Sequence, residues 1–128
     1  MAEYLHTMVR ITDPQKSRAF YEALGFTFSQ DMDIVRNGEI EATNYFFSIG
    51  DQQNVLELTY NHDGRTYEMG DAYGHIAIGV DDLDGTLARL KEQRIEPERE
   101  PYRVREGGSR LAFVRDPDQY RVELIERA

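Results

Sequence analysis

The chain has 128 residues, no cysteine, and 15 Lys and Arg against 24 Asp and Glu, a net charge of −9. That length suits one domain, and area scaling lets folding remove roughly 68–70% of the unfolded chain's surface, enough for a core without staples. The absent thiols exclude a disulfide framework, thiolate-bound zinc, iron–sulfur clusters and a cysteine nucleophile, and the acidity argues against nucleic acid or an anionic membrane as partner.

No apolar run approaches the ~20 residues of a membrane helix. Met1-Ala2-Glu3-Tyr4-Leu5 has no basic n-region with a hydrophobic stretch behind it, so the expected location is the cytoplasm. The stretch Leu5-His6-Thr7-Met8-Val9-Arg10-Ile11 has strand composition. Period 2 puts Leu5, Thr7, Val9 and Ile11 on one face, and His6, Met8 and Arg10 on the other. Asp13-Pro14 opens a helix that Gly25 stops, with Ala19, Phe20, Ala23 and Leu24 as its buried stripe. Strand-like pieces follow around Phe26–Phe28, Thr43–Ile49 and Val55–Tyr60. A turn-rich stretch then runs from Asn61 to Tyr73.

After it the pattern starts again. His75–Val80 is a strand, and Asp81 caps a helix striped by Leu83, Leu87 and Leu90, with Asp84 at the capping-box position. A charged, proline-bounded connection spans Glu96–Pro101, then come Arg110–Val114, a turn at Asp116–Gln119, and Arg121–Ile125. Each half reads strand, helix, strands. The expected architecture is therefore α+β, one domain over residues 1–128 built from two βαβββ modules, about 1–62 and 73–128.

Spacing tests the repeat. His6 and Glu57 stand 51 residues apart at the two ends of module one, and His75 and Glu123 stand 48 apart in module two. The third histidine, His62, falls in the turn-rich stretch. Around Glu57 the apolar face is Leu56, Leu58 and Tyr60; around Glu123 it is Val122 and Leu124, so both carboxylates point away from the helices. His75 likewise opposes Ile76, Ile78 and Val80. Taken singly, each of these is a solvated glutamate or a packed histidine; the matched spacing and face set them apart. Two neutral imidazoles and two carboxylates suit a first-row divalent cation such as Ni²⁺, Co²⁺, Zn²⁺ or Fe²⁺. Arg10, two residues past His6 on the same face, is placed to meet an anionic substrate group.

At these residues the sequence resembles the glyoxalase I (lactoylglutathione lyase) family of the vicinal oxygen chelate superfamily. The matching pieces are Leu5–Arg10, Ala19–Tyr21 with Leu24–Phe26, Glu57-Leu58-Thr59-Tyr60-Asn61, Tyr73-Gly74-His75-Ile76-Ala77, and Ala112-Phe113 with Asp116–Asp118, Tyr120 and Glu123-Leu124. The resemblance implies His6, Glu57, His75 and Glu123 as metal ligands, with the site formed between two chains of a homodimer. One subunit then contributes His6 and Glu57, the other His75 and Glu123. Arg10 and Asn61 match residues that hold the γ-glutamyl end of glutathione, and Arg105 matches a lysine that meets the glycyl carboxylate.

The implied reaction isomerises the hemithioacetal of methylglyoxal and glutathione to S-D-lactoylglutathione. Glu123 is the expected principal base, and Glu57 the base for the other substrate enantiomer. The short chain and the histidine at position 6 resemble the bacterial type and favour Ni²⁺ over Co²⁺ or Zn²⁺. Two departures stand out. Gln119 replaces the usual glycine of the Asp-Pro-Asp-Gly turn, and Asp71 replaces an arginine of some animal-type enzymes. Alternatives are another member of the superfamily, such as an epimerase or a thiol-transferring resistance enzyme, and a member that binds a small molecule without chemistry.

Overall fold

A computed structural model describes residues 1–127. The chain divides into two compact units, Met1–Glu68 and a second that starts at Met69. The first contains β1 (Thr7–Ile11), α1 (Pro14–Ala23), β2 (Thr27–Arg36), β3 (Glu39–Ile49) and β4 (Gln52–Asn61). The second contains β5 (Ile76–Val80), α2 (Leu83–Glu92), β6 (Tyr102–Arg103), β7 (Arg110–Arg115) and β8 (Arg121–Glu126). The sheet orders are β1-β4-β3-β2 and β5-β8-β7-β6, which is one topology used twice. In each unit the first strand runs parallel to the last, and the remaining pairs are antiparallel. The two βαβββ modules of the sequence reading are present.

Each sheet has one buried face. In the first unit Val9, Ile11, Phe47, Leu56 and Leu58 bury themselves with Phe20, Tyr21 and Leu24 of the α1 region. Tyr21 meets Phe20 and Phe26 edge-on, with centroids 4.9 and 5.7 Å away. In the second, Val80, Ala112, Val114, Val122 and Leu124 are buried, as are Leu83 and Leu90 of α2. Each such side chain larger than alanine contributes roughly 1.5–3 kcal/mol by leaving water. The alternation that buries Val9, Leu56, Leu58, Val122 and Leu124 sends Met8, Arg10, Glu57 and Glu123 to the opposite face.

Several local expectations need correction. Ala19 is exposed, and Ser17 and Tyr21 are buried in its place. In α2 Thr86 is buried while Leu87 is only partly so. The N-cap of α2 is Asp82, whose carboxylate accepts from the Gly85 amide at 2.9 Å. Asp84 makes no capping box; its carboxylate accepts from Arg110 instead. The two short pieces expected around Phe26–Phe28 and Thr43–Ile49 are parts of one long hairpin, β2–β3. Its turn is Asn37-Gly38, with φ of 53° and 79°, the paired left-handed residues of a type I′ turn.

Candidate active site

His6 immediately precedes β1, and Glu57 lies mid-β4. The parallel register pairs Met8 with Glu57, which brings the imidazole over the carboxylate. His6 Nε2 lies 3.1 Å from Glu57 Oε1. In the second unit His75 immediately precedes β5, Ala77 pairs with Glu123 on β8, and His75 Nε2 lies 3.2 Å from Glu123 Oε1. Both glutamates are largely shielded, and both imidazoles are about two-fifths open to solvent. The same atoms therefore meet at the same topological place in each module.

An aromatic ring backs each pair. Phe46 pairs with Glu57 across β3–β4, and its ring stands edge-on to His6 at 6.1 Å between centroids. Phe113 pairs with Glu123 across β7–β8 and meets His75 edge-on at 5.2 Å. These two phenylalanines were not among the residues expected from sequence. The signal existed in the repeat, but only the strand register reveals which residues share a rung.

The donor chemistry fits a divalent cation. Donors ~2.0–2.2 Å from one ion are about 2.8–3.1 Å apart at a right angle and about 3.3–3.6 Å apart at the tetrahedral angle. Separations of 3.1 and 3.2 Å fall in this range, so each pair is spaced as a bidentate half-site. Without a cation, a protonated imidazole at that distance makes a hydrogen-bonded ion pair with the carboxylate. Among the described residues no third His, Cys, Asp or Glu joins either pair.

The remaining expected residues divide. Thr59, opposite Arg10 in the β1–β4 register, shares the face of Glu57. Two residues further along β4, period 2 keeps Asn61 on that face. The Asn61 amide donates to the Tyr67 hydroxyl at 2.6 Å. Asn61 also borders an open groove of about 750 Å³, lined in part by Arg36, Ile40, Glu41, His62 and Arg65. Arg105 is exposed in the turn after β6, where its carbonyl accepts from the Gly108 amide. His62 stands apart from both His–Glu pairs, with Nε2 2.8 Å from the Thr43 hydroxyl. Asp71 is exposed, and Gln119 adopts φ of 75°.

Residues 4–124 match the model of the Glyoxalase/Bleomycin resistance protein/Dioxygenase superfamily. The chain belongs to this superfamily. Among curated members, a probable lactoylglutathione lyase of Vibrio cholerae is 43% identical over 125 residues, covering 95% of this chain and 88% of its own. The lactoylglutathione lyase of Salmonella typhimurium is 41% identical over 128 residues, covering 95% and 90%. Among solved structures, glyoxalase I from Zea mays superposes with a TM-score of 0.85 at 33% identity, covering 98% of this chain. The chain spans 44% of the length of that maize protein. The repeated module with a His–Glu pair on its open face is thus the glyoxalase superfamily fold.

Proposed function

We propose that this chain is a metal-dependent glyoxalase I. It isomerises the hemithioacetal of methylglyoxal and glutathione to S-D-lactoylglutathione. The observation that carries this reading is the duplicate His–Glu pair, with Nε2–Oε1 separations of 3.1 and 3.2 Å at equivalent positions of two modules. The lactoylglutathione lyases at 41–43% identity over most of the chain support the substrate and the reaction.

His6, Glu57, His75 and Glu123 would hold the metal, in a homodimer whose sites each take one pair from either subunit. Ni²⁺ is the proposed ion, with Co²⁺ and Zn²⁺ as the other choices. A bound cation would supply Lewis-acid stabilisation of the charge that develops on substrate oxygen as a carbon-bound proton leaves. The chain's own task is to move that proton. Glu123 removes it from the carbon that carries sulfur and returns it to the neighbouring carbon, so no atom is gained or lost overall. A positioned carboxylate contributes typically ~10²–10⁴-fold. Glu57, on the opposite side, takes the proton from the other substrate enantiomer.

Arg10 and Asn61 hold the γ-glutamyl end of glutathione, and Arg105 meets the glycyl carboxylate. These cations and amides make the pocket locally receptive to an anion despite the net charge of −9. The two modules act as one domain, in the cytoplasm. No described helix is long and apolar enough to cross a membrane. The deciding experiment supplies purified chain with Ni²⁺, Co²⁺ or Zn²⁺ and follows thioester formation from methylglyoxal plus glutathione. Thioester with at least one metal is expected; none with any of the three overturns the reading.

A further inference from the structure

The two halves of the candidate site differ at one level of the sheet. Thr59 is 9% exposed, and its hydroxyl lies 2.8 Å from Asn44 Oδ1 and 3.3 Å from Glu57 Oε2. Asn44 is itself 7% exposed and pairs directly with Thr59 across β3–β4. Glu57 Oε1 thus lies against His6 Nε2, and Oε2 against the Thr59 hydroxyl, whose one proton it shares with Asn44 Oδ1. In the second unit the corresponding rung pairs Leu111 with Ile125. Neither side chain has a polar atom to offer Glu123. The nearest cation along β8, Arg121, is held by Glu98 through two hydrogen bonds of 2.9 and 2.8 Å.

We infer that Thr59, seated on Asn44, is a positioning residue that fixes Glu57, and that the apolar Leu111–Ile125 rung leaves Glu123 the freer carboxylate. A hydroxyl on the distal oxygen stabilises the one rotamer in which the proximal oxygen faces His6. Removing that bond restores rotational freedom to Glu57 and weakens the pair as a chelating unit. Among the described residues no hydroxyl is placed on Glu123, so it swings without breaking such a bond. This rests on the proposed glyoxalase reading and assigns a physical cause to the unequal work of the two glutamates.

The test uses the full-length chain and reads Ni²⁺ affinity by competition with a chromophoric chelator, alongside kcat and KM. Thr59→Val is expected to weaken Ni²⁺ binding about 10-fold or more, and Thr59→Ser to restore it. Unchanged melting of the metal-free protein separates this loss from misfolding. Ile125→Thr places a hydroxyl beside Glu123 and is expected to tighten Ni²⁺ binding while lowering kcat, and it decides the matter should Thr59→Val fail to fold. Ni²⁺ affinity within two-fold of the parent in folded Thr59→Val, or Ile125→Thr indistinguishable from the parent in both readouts, overturns the inference. A parent that binds Ni²⁺ but forms no thioester sinks the functional reading alone, because the affinity comparison still stands.

Discussion

Phe113 meets the His75 imidazole edge-on, with ring centroids 5.2 Å apart and planes at 84°. The contact fixes the plane of an imidazole that is otherwise about two-fifths exposed. Pairs of this geometry are worth about 0.5–1.5 kcal/mol beyond burial. Phe113→Leu keeps most of the apolar volume but loses the ring edge. It is expected to weaken divalent-metal affinity about 2- to 10-fold. The equivalent change at Phe46, whose centroid is 6.1 Å from that of His6, is expected to do less. Metal titration of the two variants checks the order; a larger effect at Phe46 contradicts it.

The shared geometry of the two pairs does not make their glutamates interchangeable. Glu123→Gln keeps size and a donor oxygen but removes the proton acceptor. Turnover is expected to fall by about 10²–10⁴-fold while the complex with glutathione hemithioacetal still forms. Glu57→Gln is expected to damage metal retention more, because that carboxylate lies against both His6 and the Thr59 hydroxyl. Steady-state kinetics on metal-saturated protein, paired with metal analysis, distinguishes the two. Near-normal turnover in metal-loaded Glu123→Gln removes its role as base.

Both pairs were legible in the sequence because they depend on strand period alone. Leu56 and Leu58 must be buried, so Glu57 cannot be on their side; Val122 and Leu124 impose the same on Glu123. Cross-strand neighbours were not legible. Asn44 meets Thr59, and Phe46 meets Glu57, only because the turn between Ile49 and Gln52 and the shift after Phe47 set the register of β3 on β4. The full length of the hairpin is hidden in the sequence for a related reason. β2 is exposed along almost its whole length, so it has no apolar alternation to betray it. The Asn-Gly turn was the available signal. At α2, two adjacent aspartates precede the helix, and the choice of Asp82 over Asp81 depends on which side chain reaches the Gly85 amide.

Glu98, beside the first residue of β8, is one carboxylate on which acid stability depends. Glu98 accepts two hydrogen bonds from Arg121, and Arg115 Nε lies 3.1 Å away. Hydrogen bonding to Arg121, reinforced by the charges of Arg121 and Arg115, holds its carboxyl below the ordinary value. A depressed folded-state pKa means the native state keeps this proton off longer than the unfolded chain does. The resulting stabilisation is complete above the ordinary carboxylate range and disappears as pH falls through the folded value. Glu98→Gln is therefore expected to lower the melting temperature near neutrality and to flatten its decline in acid. Melting curves from neutral pH down through the carboxylate range test this; parallel curves for parent and variant refute it.

The Asp116–Tyr120 turn holds a strained residue. Asp116 is 1% exposed, and its carboxylate accepts from the amides of Asp118 at 2.8 Å and Tyr120 at 2.9 Å. The Gln119 amide donates to the Asp116 carbonyl at 2.9 Å. Closing the loop this way forces Gln119 to φ of 75°, where a Cβ crowds the carbonyl oxygen. Gln119→Gly relieves that crowding but makes the unfolded chain more flexible, so the net gain is expected to be about 0.5–1 kcal/mol. For a chain of this size that corresponds to a rise of roughly 2–6 °C in melting temperature. Asp116→Ala strands two amides in a buried turn and is expected to cost about 1–3 kcal/mol or more. Calorimetry of the two variants checks both signs, and a Gln119→Gly protein less stable than the parent shows that the turn tolerates its glutamine without strain.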